Sequence, residues 1–76
     1  MREAIETIVK ALVDDSEAVD IREIKRNGAT LIEVRVSPND VGKIIGKQGR
    51  TIRALRSLAR IVGAKEDQRY LLEIVE

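Results

Sequence analysis

Residues 41–52 read Val-Gly-Lys-Ile-Ile-Gly-Lys-Gln-Gly-Arg-Thr-Ile, and they hold the cluster of side chains whose types and spacing best suit a chemical task. Gly46 and Gly49 enclose Lys47 and Gln48, and Lys43 and Arg50 flank the group. Glycines at this spacing let the backbone turn sharply and let another molecule's backbone approach where a Cβ would stand. Amides in such a turn, and at the start of a helix that follows it, are free to meet an anion, and the helix dipole favours negative charge there. Lys47 and Arg50 add full positive charges at the same spot. Phosphate is the expected guest. Two glycines so placed also occur as a plain helix break, but a break needs neither the flanking cations nor the Ile44-Ile45 pair that can line an adjoining apolar groove. The same letters exclude a nucleotide P-loop: the run from Gly42 to Lys47 is one residue short of GxxxxGK and lacks the Ser or Thr that would hold magnesium. The Gly42-to-Gly46 spacing fails as a membrane GxxxG because the segment is charged and short.

The charge around the turn is uneven. Formal net charge is only +1, yet the first twenty residues carry six acids against Arg2 and Lys10. Between Val41 and Lys65 there are seven bases and no acid. A block of one sign sets up a local positive potential that draws polyanions even when the whole-chain sum is near zero. Composition narrows the chemistry further. The chain has no cysteine and no histidine, which excludes disulfides, thiolate metal sites and the Ser-His-Asp, Cys-His, zincin and deaminase chemistries. No metal or other cofactor is expected. There is no apolar run of membrane-spanning length, and Glu3 and Glu6 stand where a signal peptide would be basic and then apolar, so a cytoplasmic location and no membrane partner are expected. At 76 residues the chain should form one small domain over residues 1–76, with little room for an enclosed substrate cavity. A binding module, not an enzyme, is the expectation.

The elements that position the turn can be read from periodicity. Ile5, Ile8, Val9, Leu12 and Val13 make the stripe of an amphipathic helix over residues 2–14, whose acidic end at Asp14 and Asp15 opposes the helix dipole and should fray. Asn27-Gly28 between two alternating runs predicts a two-residue hairpin turn. With Arg26 paired to Ala29, Ile21 faces Val34 and Glu23 faces Ile32 on the inner side, while Asp20 meets Arg35 and Arg22 meets Glu33 on the outer side. Ser37-Pro38-Asn39-Asp40 reads as a helix start with Ser37 as cap, and the helix should run to about Ile45. After the glycines a second helix carries Ile52, Leu55, Leu58, Ala59 and Val62 inward, with Gly63 as its cap, and Arg69–Glu76 alternates as a third strand. The fold class is therefore α+β, in the order helix, strand, strand, helix, helix, strand, with a three-stranded sheet and the helices on one face.

Ile44-Ile45-Gly46-Lys47-Gln48-Gly49-Arg50-Thr51-Ile52 resembles the (I/V)IGxxGxx(I/V) signature of KH domains, whose GXXG loop clamps four backbone nucleotides. The element order is similar to the bacterial type II form, in which an extra helix and strand precede the core, and the resemblance covers the whole chain. Within that form the chain resembles small stand-alone bacterial KH proteins. The resemblance implies a cytosolic, non-catalytic protein that binds single-stranded RNA, acts on transcripts as a post-transcriptional regulator or RNA chaperone, and works as a dimer or beside a larger KH-containing partner. By matching positions, Gly46, Lys47, Gln48 and Gly49 would clamp the sugar-phosphate backbone, with Lys43 and Arg50 beside them. Val41, Ile44, Ile45 and Ile52 would line one wall of a base-facing groove, and residues 32–36 of the second strand the other. Arg53, Arg56 and Arg60 share the exposed side of the second helix, so at most part of that stripe, Arg53 first, can track RNA.

Tyr70 is the sole aromatic, and a core or edge role is expected for it. Without stacking aromatics, which add about 1–3 kcal/mol per base, one domain should bind weakly and with little sequence preference, so pairing with a second domain should raise affinity. Ile24, Leu31, Leu71 and Val75 fall on the sheet face turned from the helices, an expected surface for self-association or for a partner. Two other functions fit the same residues: single-stranded DNA binding, and an adaptor whose basic helix docks an acidic protein.

Overall fold

The periodicities are realised as three helices and three strands in a computed structural model that describes residues 1–75. Helix α1 (Arg2–Leu12) precedes strands β1 (Asp20–Arg26) and β2 (Ala29–Arg35); helices α2 (Val41–Ile45) and α3 (Arg50–Lys65) then lead into β3 (Arg69–Val75). The expected last residue of the third strand, Glu76, lies outside the described residues.

Asn27 and Gly28 both adopt positive φ, 47° and 80°, as a two-residue hairpin turn that matches strand twist requires. The register follows from it: Arg26 pairs with Ala29, Ile21 with Val34 and Glu23 with Ile32. Asp20 lies opposite Arg35 and Arg22 opposite Glu33, but the ion pair that forms runs along β1, from Arg22 Nε to Asp20 Oδ2 at 2.9 Å. Alternate residues of a strand share a face, and the long arginine side chain reaches its near neighbour.

The link from β2 to β3 passes through both α2 and α3. Such a helical crossover returns the chain parallel to where it left, and β3 indeed pairs parallel to β2 in the sheet order β1-β2-β3. Strand β2 is thus central. Ile21, Ile32, Val34 and Leu72 project from the sheet into a core completed by Ile5 and Val9 of α1, Ile44 of α2, and Leu55 and Ala59 of α3. On the opposite face the registers align Ile24, Leu31 and Leu71 in one row across the three strands. Val75 pairs with Arg35 instead, so the expected apolar cluster of four is a row of three.

Two local expectations are corrected. Ser37 makes no side-chain cap; the helix start is a 3-10 turn over Pro38–Asp40, closed by the Asp40 N–H donating to the Ser37 carbonyl at 2.8 Å. Gly63 does not end α3, which continues to Lys65. Gly63 is buried within it, and a Cβ there would stand 2.7 Å from the Gln68 carbonyl oxygen and 2.9 Å from the Tyr70 ring. The glycine serves close packing of β3 on the helix. Tyr70 itself is half-buried, and its hydroxyl donates to Glu66 Oε1 at 2.8 Å. That carboxylate is the main reason its phenol pKa lies above 10.0, and burial adds to the shift.

Candidate nucleic-acid interface

Helix α2 is five residues long, too short to hold itself, so both of its ends are fixed by other parts of the chain. At its N-terminus Asp40 is 2% exposed. Its carboxylate accepts the Asp15 amide at 3.1 Å and the Asp14 amide at 3.3 Å, and Lys43 Nζ lies 3.4 Å away. Lys43 also donates to the Asp14 carboxylate. The turn after α1, which the sequence led us to expect frayed, is therefore tied to the start of α2. The Asp15 amide is the main cause that lowers the Asp40 carboxyl below 3.8, opposed by burial and helped by Asp14 and Lys43. Lys43 is raised above 10.5, first by Asp14, with burial opposing and Asp40 adding to the rise. Its charge is committed to this acidic pair, away from the turn.

At the other end of α2 the backbone reverses. Gly46 has φ 76° and ψ 173°, and a Cβ there would stand 2.2 Å from Thr51 Oγ1, so glycine alone fits. Gln48 (φ 58°) and Gly49 (φ 74°) both occupy the left-handed region. The Gly46 amide bonds the Gly42 carbonyl, Gly49 bonds Gly46, and Arg50 bonds Lys47. Among the described residues this leaves the Lys47 and Gln48 amides as the free donors of the turn. Arg53 folds back beneath it: Nη2 donates to the Gln48 carbonyl at 2.6 Å and Nε to the Gly49 carbonyl at 3.3 Å. That guanidinium covers two oxygens that would repel an anion and braces the turn at the start of α3. Lys47, Gln48 and Arg50 are exposed around it.

Beside the turn runs a groove of about 690 Å³. Val41, Ile45 and Ile52 form its helical wall, and Glu73, Ile74 and Val75 its other wall, with Arg56 across the end. The wall expected from residues 32–36 is absent because β2 is the central strand, with Ile32 and Val34 fully buried; the groove opens on the edge strand β3. Ile44 is likewise fully buried, whereas Ile45 is 41% exposed. Successive helical residues point about 100° apart, so the two cannot share one wall. Arg56 Nε donates to the Leu72 carbonyl at 3.3 Å, pinning α3 to the β3 edge. Among the described residues no helix is long and apolar enough to cross a membrane, and no group of acids converges to hold a metal ion.

A turn of this shape, set between two helices and opening on an apolar groove, is what the sequence signature demanded. The family model described as KhpA/KhpB, KH domain matches residues 2–74. The chain belongs to that family. It is 45% identical to the RNA-binding protein KhpA of Caldanaerobacter subterraneus subsp. tengcongensis, over 99% of this chain and 100% of the relative. The RNA-binding protein KhpA of Borreliella burgdorferi is 47% identical over 97% of this chain and 90% of its own, and that of Aquifex aeolicus 42% over 100% and 96%.

In this KH domain the predicted residues therefore divide. Gly46, Lys47, Gln48, Gly49 and Arg50 come together at the turn; Ile45 lines the groove beside them; Arg53 lies under the turn as its brace; Ile44 belongs to the core; and Lys43 belongs to the α1–α2 junction. Sequence reasoning missed Asp40, Glu73, Ile74 and Val75. The crossover from β2 through two helices was the available signal for the last three, since it places β3 parallel beside β2 and leaves β3 at the edge. For Asp40 no sequence signal names its partners.

Proposed function

We propose that this KH domain binds single-stranded RNA without catalysis, clamping the sugar-phosphate backbone at Gly46–Gly49 and laying bases into the Val41–Ile45–Ile52 groove. The observation that carries the reading is the turn itself: two free amides, Lys47 and Arg50 exposed, the inward carbonyls covered by Arg53, and an apolar groove alongside. Backbone contacts hold without reading sequence, and the groove offers Arg56 and Glu73 as its charged groups, so low sequence preference follows. Relatives that carry the name RNA-binding protein support RNA as the polymer. The role that fits is a post-transcriptional regulator or RNA chaperone acting in the cytoplasm.

Affinity of a single copy is low on this account, and a second KH-containing chain, the same or another, raises it. The row of Ile24, Leu31 and Leu71 is the proposed contact surface, with Leu71 46% exposed. Leu31→Lys with Leu71→Lys should lower the sedimenting mass; an unchanged profile in the folded variant removes this surface.

The clamp is tested by Lys47→Asp with Gln48→Asp, both exposed positions. Fluorescence anisotropy with a labelled oligouridylate should show binding abolished while circular dichroism stays unchanged. Near-wild-type affinity in the folded variant would refute the assignment. Competition with the matching DNA strand decides the sugar preference.

A further inference from the structure

Past Arg56, which reaches from α3 to the Leu72 carbonyl, the depression of the surface resumes. A second depression shares Arg56 and Glu73 with the groove, and a third shares Arg60, Tyr70 and Leu71 with the second. The three follow one another along the seam between α3 and the edge of β3, with volumes of about 370 and 330 Å³ beyond the groove. Its extension is lined by Arg56, Arg60 and Arg69 against Glu73, a net positive strip, with Glu66 behind the Tyr70 hydroxyl. Tyr70 lines both depressions and is the aromatic surface they offer.

We propose that this seam is a second RNA subsite, in which the strand leaving the clamp groove continues along α3 and β3, its phosphates met by Arg60 and Arg69 and a base resting on Tyr70. The inference rests on the clamp reading, because the alignment of the three depressions, each sharing lining residues with the next, is what selects the same strand as occupant. Glu73 lies four residue steps along β3 from Arg69, about 13 Å at the rise of a β-strand, enough for more than one nucleotide of extended backbone. The seam exists because Gly63 lets β3 close on α3: the Gln68 carbonyl and the Tyr70 ring occupy the space its Cβ would take. The Tyr70–Glu66 hydrogen bond then holds the ring in place. Arg60 and Arg69 are exposed and make no ion pair among the described residues, so their charges are available. The seam gives Tyr70 a stacking role in addition to its packing on the helix.

The test is an NMR titration of the whole chain with oligouridylates of four and eight nucleotides, on the wild type, on Arg60→Gln with Arg69→Gln, and on Lys47→Asp with Gln48→Asp. Two extra phosphate contacts at physiological salt should make the longer oligomer about tenfold tighter than the shorter, after correction for the number of registers. The double arginine variant should lose that gain while binding the short oligomer as the wild type does. Absence of the gain in the wild type, or its survival in the arginine variant, overturns the subsite. Should the loop variant bind the long oligomer normally while the arginine variant does not, the clamp reading fails, and the continuation built on it fails too.

Discussion

Lys43, in the middle of the short helix α2, and Lys47, two residues past its end, are the same residue type, yet the fold gives them opposite environments. Lys43 reaches back to the N-terminal end, where it meets Asp14 and the buried Asp40, both carboxylates, and its charge joins α1 to α2. Past the C-terminal end Lys47 stands exposed on a turn that Arg53 braces and Arg50 follows. An acid-free stretch of sequence is therefore not an evenly available positive surface. Tertiary structure brings an acid from the N-terminal region to one lysine and leaves the other exposed. The first end fixes where α2 sits; the second uses that position.

The largest expected effect comes from the turn's two glycines, which are not equivalent. Gly46→Ala combines a left-handed φ with overlap on Thr51, so it should cost at least about 1–3 kcal/mol in thermal unfolding and remove RNA binding. Gly49→Ala meets nothing closer than 4.0 Å and carries only the φ penalty, about 1–2 kcal/mol. Equal losses would mean that the Thr51 contact does not shape the turn.

Acid should act on the other end of α2. Asp40 is lowered from 3.8, so its contribution to stability is complete above that pH and disappears as pH falls through its depressed folded value. Lys43, raised from 10.5, contributes fully below that pH and loses its contribution as pH rises through its elevated value. The junction is thus at full strength between about pH 4 and about pH 10. Asp40→Asn should lower the melting temperature at neutral pH and flatten its decline below pH 4. A variant that keeps the wild-type acid profile would contradict the staple. A smaller effect is expected at Arg53. Arg53→Ala removes two hydrogen bonds of an exposed side chain, worth about 0.5–1.5 kcal/mol each at most, and should speed hydrogen exchange around the turn more than it lowers global stability.

Much of this was legible in the sequence, for physical reasons that differ from place to place. The hairpin register followed by arithmetic because Asn27-Gly28 admits a two-residue turn and little else. The glycine turn was legible because positive φ at Gly46 and Gly49 leaves a mark in residue type. The split between Ile44 and Ile45 was not, since a five-residue helix has too few turns to establish which face is apolar. Asp40 looked like one more acid at a helix start; its burial depends on amides at Asp14 and Asp15, which the chain brings back from the far end of a hairpin. Gly63 looked like a cap because glycine marks helix ends and close approaches alike, and only the path of β3 distinguishes them. The same path moved the groove wall from β2 to β3.

The contrast between the two lysines is tested most directly by the salt dependence of RNA affinity, measured side by side for the wild type, Lys47→Gln and Lys43→Gln. With two or three phosphate contacts on a single strand, the wild-type slope of log affinity against log salt should be about −1.5 to −2, and Lys47→Gln should reduce its magnitude by about 0.7. Lys43→Gln should leave the slope where it is, since that lysine faces Asp14 and Asp40. A slope that falls with Lys43→Gln and holds with Lys47→Gln would contradict the account.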